Sequence, residues 1–248
     1  MRMNPSAEPV TRPLSARSVV LSLLLGAHPP RLPVRELVRL VEPFGVGGST
    51  LRAALSRMVA AGDLRRTDAV YGLSDRLLAR QRRQDEAARP RVRAWDGDWE
   101  MVVITATGRG AAERADLRAR LTALRLAELR EGVWLRPANL ARPLPDDLAG
   151  VALSYTARPD EPAAGLVARL WPLDTWAADA RGLLGRATSA GRPAERLTAF
   201  AAVVRHLLTD PVLPAPLLPP AWPGDALRAA YAGYQRELAV SQAPRGGT

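Results

Sequence analysis

The chain has 248 residues, 47% of them hydrophobic, enough to bury a sizeable core but more than one compact domain usually holds. All 35 basic residues are arginine, cysteine is absent, and His28 and His206 are the only histidines; this excludes lysine-bearing phosphate loops, Schiff-base lysines, thiol nucleophiles, disulfides and cysteine-held metals. Residues 1–93 carry 17 Arg against 8 acidic residues and residues 94–248 carry 18 against 17, so nearly all of the net +10 belongs to the first segment, the part suited to meeting a polyanion.

Residues 1–14 read as a tail. Arg12 and Arg17 ahead of the apolar stretch Val19–Ala27 have the outline of a secretion signal. Cleavage after Ala27 would place Leu25 where a small residue belongs, however, and a helix with its turn fits the same letters better. The expected location is therefore cytoplasmic, and no run approaches membrane-spanning length.

Ser15 is a plausible N-cap for a helix through Ala27, and His28-Pro29-Pro30 breaks it. Val34 to Val41 fits a second helix, stopped by Pro43 and the turn Gly45-Val46-Gly47-Gly48. Ser49 or Gly48 then caps a third, through Ala61, with Leu51, Ala54, Leu55, Met58 and Val59 as its apolar stripe. Its opposite face carries Ser49, Thr50, Ala53, Ser56 and Arg57, with Arg52 on the flank. Small residues let a helix backbone approach a major groove, an arginine fork reads guanine or clamps phosphate, and hydroxyls bond phosphate oxygens. Leu64 to Leu73 gives two short strands around a Thr-Asp turn, read as a wing whose Arg65 and Arg66 lie beside the DNA backbone or minor groove. The candidate DNA-binding residues are thus Ser49, Thr50, Arg52, Ser56, Arg57, Arg65 and Arg66. The rival reading is a three-helix core with a solvated arginine face. The glycines at 45–48 do not make a phosphate loop, because no strand precedes them and no lysine follows.

Leu77 to Ala88 reads as a basic linking helix, part connector and part phosphate contact, which completes a winged helix-turn-helix domain at 15–93. The chain then changes character. Met101–Thr105 predicts a central strand covered on both faces, Glu113–Leu126 an amphipathic helix, and Gly132–Arg136 and Val151–Tyr155 further strands; Val167–Trp171 is expected as another. This order makes 94–172 an α+β domain of ferredoxin-like type. Residues 173–240 read as a helical domain with helices at Thr175–Leu184, Glu195–Leu208 and Asp225–Leu238, and 241–248 as a tail. The stripe of the middle helix is Leu197, Phe200, Ala201, Val204 and Leu208. Asp210 to Gly224 is too proline-rich for a helix and apolar enough to pack as an extended strap.

Three segments carry a resemblance to the phenylacetic acid degradation repressor family, the PaaX-like bacterial transcription factors. They are Ser15-Ala16-Arg17 with Ser49 to Gly62; Trp95-Asp96-Gly97-Asp98-Trp99 with Gly132-Val133-Trp134-Leu135-Arg136-Pro137; and the pattern from Asp210-Pro211 through Leu213-Pro214, Leu217-Leu218-Pro219 to Trp222-Pro223-Gly224. The resemblance implies a homodimeric repressor, with operator DNA held by the N-terminal domain and released by an acyl-coenzyme A, and no enzyme, cofactor or catalytic residue. It also likens the central domain to a small CRISPR-associated nuclease fold, which uses an aspartate after its first strand. Thr105-Ala106-Thr107 stands there instead, with no carboxylate for a metal.

Both histidines read as structural. Trp134, Arg136, Tyr155 and Arg169 are candidates for lining an effector pocket: aromatic faces suit an acyl group and arginine forks suit phosphates, although aromatics at such spacing are more often core. A sequence-independent basic nucleic-acid binder and a metal-dependent nuclease are the alternatives.

Overall fold

The computed structural model describes residues 14–242; of the tails expected at 1–14 and 241–248, only Leu14, Ser241 and Gln242 fall among the described residues. The described residues divide into two units, one formed by 14–79, 190–198 and 235–242, the other by 80–189 and 199–234. No described helix is long and apolar enough to cross a membrane.

The first unit runs α1 (Ala16–Gly26), β1 (Arg31–Pro33), α2 (Val34–Val41), α3 (Gly48–Ala60), β2 (Leu64–Thr67) and β3 (Val70–Leu73). Ser15 caps α1 as expected, its side chain accepting from the Ser18 N–H at 3.2 Å. The three helices bury one continuous core, including Val19, Leu23, Leu24, Leu37, Leu51, Leu55 and Met58, each stabilising the fold by about 1.5–3 kcal/mol if fully withdrawn from water. The strands form one antiparallel sheet in the order β1-β3-β2, with Arg31 and Arg65 on either side of Gly72. β1 is an addition to the expected hairpin: three residues are too few to display a period of two.

Helix α4 (Asp75–Ala88) begins in this unit, where Leu77 joins the core. Asp63, just after α3, is buried and accepts hydrogen bonds from Arg17 of α1 at 2.7 Å and from Arg76 of α4, while its own carbonyl takes the Ser74 N–H at 3.0 Å. One carboxylate thereby fixes the start of α1, the end of α3 and the start of α4.

In the second unit β4 (Trp99–Ile104), α5 (Ala111–Ala123), β5 (Ala127–Arg130), β6 (Val133–Pro137) and β7 (Ala152–Ala157) build an antiparallel sheet in the order β5-β6-β4-β7. This is the split ferredoxin-like arrangement, with the middle pair of strands to one side of the first and the last strand to the other. Its second helix is reduced to one tight turn at Asp146–Leu148. β4 is central and covered on both faces, Val102 packing under α5 with Leu117, Leu121 and Trp134, and Trp99 packing on the other side with Leu135, Leu166 and Val167.

One expected strand is corrected. Val167–Trp171 is not a strand; the segment belongs to α6 (Ala163–Leu170), which starts after Pro162 and buries Leu166 and Val167 at helical spacing. The strand position in the sheet is filled by β5, whose Ala-Glu-Leu-Arg composition favours helix and concealed it. α5 stops three residues before the expected Leu126, because Arg125 takes a left-handed conformation (φ 64°) and Leu126 donates back to the Leu121 carbonyl, an end otherwise typical of glycine.

Helices α7 (Leu173–Ser189), α8 (Pro193–Leu207) and α9 (Gly224–Gln242) complete the chain. The buried stripe of α8 is Leu197, Phe200, Val203, Val204 and Leu207, so Leu208 and Ala201, expected inside, are displaced toward its edges. Residues 210–214 are buried and non-helical, but the expected extended run is interrupted: Val212 is left-handed at φ 50° and its N–H donates to the Asp210 side chain at 2.8 Å.

Candidate nucleic-acid interface

α3 is held by its inner stripe, Leu51, Ala54, Leu55 and Met58, which leaves the other face to solvent. Ser49, Thr50, Arg52, Ala53, Ser56 and Arg57 are all exposed there, so five predicted contact residues lie together on one helix surface. Val59, expected in the stripe, is 36% exposed at its border. Gly45, at φ 72°, makes the sharp turn that aims α3, a conformation that favours glycine, and Val46 donates to the Val41 carbonyl. Gly47 is the N-cap and supplies no side-chain oxygen, so the first-turn N–H groups have no capping side chain. Arg52 folds back over that turn, beside Gly48.

The hairpin places the other two predicted arginines on opposite faces of its sheet. Arg65 is on the outer face and ion-paired with Asp75, both side chains well exposed. Arg66 lies over the Tyr71 ring, 5.9 Å from its centroid, and donates to the Asp68 carbonyl at 2.7 Å, bracing the Asp68-Ala69 turn. Asp68 is left-handed at φ 55°.

Two arginines escaped the sequence reading. Arg31 stands across Gly72 from Arg65 on the outer sheet face, and Arg35 lies in the first turn of α2, next to Val34, whose N–H donates to the Ala69 carbonyl at the hairpin turn. The pairing of β1 with β3 is what brings Arg31 into that row, and no local pattern reveals a long-range pairing. Among the described residues, the guanidinium groups of Arg31, Arg35, Arg52 and Arg57 have neither a hydrogen bond nor an ion pair, whereas Arg17, Arg39, Arg65 and Arg76 are ion-paired. Four uncompensated guanidiniums and three hydroxyls on one small unit form a surface suited to phosphate oxygens and base edges.

The four effector candidates do not converge. Trp134 and Arg136 point to the α5 side of the sheet, and Tyr155, in register with Met101 and Leu135, points to the other. Arg169 is on α6, paired with Glu161 at 2.9 Å. Trp134 is buried in the core with its indole N–H unpartnered. Arg136 is fully buried: it donates to the carbonyls of Pro137, Arg125, Pro211 and Val212, and to Asn139 Oδ1 at 2.7 Å. Burial pulls its guanidinium down to about 9, and that of neighbouring Arg125 to about 10. Both arginines fasten the strap, Arg125 through the Asp210 carbonyl, while the Asp210 carboxylate pairs with Arg228 at 2.7 Å.

The second unit also holds two cavities beside Trp171. One, of about 480 Å³, is lined by α6 and by the strap at 216–219; the other, of about 290 Å³, by Trp176, His206, Thr209 and Asp179 among others. Neither touches Trp134, Arg136, Tyr155 or Arg169. His206 stacks on Trp176 at 4.3 Å between ring centroids and Trp176 on Trp222 at 4.5 Å, so this histidine sits within a ring stack.

Residues 15–77 match the family model described as PaaX-like protein, residues 92–157 the PaaX protein central Cas2-like domain, and residues 179–244 the PaaX-like protein C-terminal domain. The chain is also similar to the solved structure of an uncharacterized protein from Mycobacterium tuberculosis, with 52% identity, a TM-score of 0.80, and coverage of 92% of this chain and 97% of the other. No curated protein matches significantly.

Proposed function

The chain belongs to the PaaX-like family, a regulatory family, and we propose that it is a homodimeric, cytoplasmic, DNA-binding transcriptional repressor. The observation that carries the reading is the outer face of α3, where the side chains of Arg52 and Arg57, set among small and hydroxyl residues, have no partner among the described residues. α3 enters the major groove: Arg57 and Arg52 reach base edges or phosphates, Ser49, Thr50 and Ser56 bond phosphate oxygens, and the wing with Arg65 and Arg66 follows the adjoining backbone. Two such helices related by two-fold symmetry call for a palindromic operator with half-sites about one helical turn apart.

Release is assigned to an acyl-coenzyme A, an expectation that comes with the family. Trp134, Arg136, Tyr155 and Arg169 were the sequence candidates for that ligand, and their dispersal means that at most some of them serve it. The effector acts by binding more tightly to a conformation that no longer matches the half-sites.

A gel-shift titration on the promoter beside the protein's own gene, across salt concentrations and with a panel of acyl-CoA esters, tests this. A repressor prefers one palindromic duplex to random sequence by at least about a thousandfold and loses it to one ester. Equal affinity for all duplexes makes the chain a sequence-independent binder instead, and magnesium-dependent cleavage makes it a nuclease.

A further inference from the structure

The two edges of the central sheet are built differently. β5 carries Glu128 and Arg130, Glu128 is ion-paired with Arg118 of α5, and the pairing of β5 with β6 is irregular between Glu128 and Arg130. Charge and irregularity are how a sheet edge is guarded against a foreign strand. β7, Ala-Leu-Ser-Tyr-Thr-Ala, has no charge, proline, glycine or bulge, and its residues 153–156 are all exposed. Leu153 is 49% and Tyr155 46% exposed, side by side on one face.

The ladder direction says which backbone groups are open. Ile104 donates toward β6 and Thr105 toward Val151, so alternate residues of β4, Trp99, Met101 and Val103, bond to β7 through their register partners Ala157, Tyr155 and Leu153. The N–H and C=O groups of Ala152, Ser154 and Thr156 therefore point away from the sheet, and among the described residues none has a backbone partner.

We propose that β7 is the dimer seam: β7 of a second copy of this chain pairs with it antiparallel about a two-fold axis, joining the two four-stranded sheets, with Leu153 and Tyr155 of each copy covering the junction. The inference rests on the dimeric reading given above. A second copy is the occupant because the strand is neutral within a chain of net +10, which removes like-charge repulsion at the line of contact, and because an antiparallel strand pair is self-complementary under two-fold symmetry. The same open row would accept any strand, but an acidic or basic peptide finds no charge on β7 to select it.

Sedimentation equilibrium on the full-length chain tests the seam. Ser154→Pro deletes one outward N–H and leaves the bonds to β4 untouched, whereas Ser154→Ala keeps that N–H. The proposal expects a dimeric wild type, a dimeric Ser154→Ala, and a dissociation constant raised on the order of tenfold or more in Ser154→Pro, since symmetry removes two hydrogen bonds per dimer. Leu153→Lys with Tyr155→Lys, which sets like charges against each other across the axis, is the second variant and decides the matter should Ser154→Pro not fold by circular dichroism. Unchanged dimerisation in the folded variants overturns the seam and leaves the dimeric reading standing; a monomeric wild type overturns both.

Discussion

Arg57 on α3 and Arg136 on β6 are the same residue in opposite circumstances. Arg57 is exposed and has no partner among the described residues, so its donors and its charge are available to a ligand. Arg136 is wholly buried, with carbonyl oxygens and one amide oxygen around it and no carboxylate hydrogen-bonded to it, so its donors are consumed in holding the strap. A chain whose basic residues are all arginine cannot sort these roles by residue type. The partner list does so, and net charge by segment matters only because the unpartnered arginines lie where the excess is.

The largest effect expected is therefore structural. Arg136→Met keeps the volume and removes every donor, leaving the Pro211 carbonyl and the Asn139 Oδ1 without their guanidinium and Val212 with the Asn139 amide alone. We expect a loss of about 3–5 kcal/mol in urea unfolding. A loss under about 1 kcal/mol would mean that water serves those oxygens as well and that the strap is not held by this side chain. Arg57→Ala should do the reverse. It leaves stability within about 0.5 kcal/mol and weakens specific binding by about 1–3 kcal/mol if it reads a base, or weakens every duplex alike if it holds phosphate. Unchanged binding to both specific and random duplex would remove α3 from the interface.

Asp63 lies between these extremes, a buried carboxylate held by two arginines that are themselves mostly exposed. Asp63→Ala should cost about 1–2 kcal/mol of stability, because its two cations fall back into water instead of being stranded. Its measure is the urea midpoint, and a cost as large as that of Arg136→Met would break the distinction between partly and wholly buried arginine.

The helices of the first unit were legible because each has a boundary signal within a few residues of one end, Ser15 before α1, Pro43 and Gly45 after α2, Gly62 after α3, and because α2 and α3 are striped while α1 is apolar nearly all round. The predicted face of α3 follows from the same period. What was hidden depends on long-range pairing or tertiary override. β1 is three residues long, β5 is spelled in helix-forming residues, and α6 is a short apolar run whose type no period decides. Arg31 joins the candidate interface only through β1, and the carbonyls that surround Arg136 come together only once the strap closes over it.

The finest division is within the wing, between Arg65, which is ion-paired, and Arg31, whose guanidinium has no partner among the described residues, one on each side of Gly72. If pairing with Asp75 held Arg65 away from a ligand, its replacement would be silent; but the pair is exposed, worth about 0–1 kcal/mol, and a phosphate oxygen competes with Asp75 at little cost. Arg65→Ala should thus lower affinity for specific and random duplexes equally, by less than about 1 kcal/mol, and flatten the dependence of log affinity on log salt by about one unit. Arg31→Ala should flatten it by at least as much, having no internal partner to relinquish. A salt slope altered by Arg31→Ala and not by Arg65→Ala would show that even a solvated ion pair withdraws an arginine from the DNA surface.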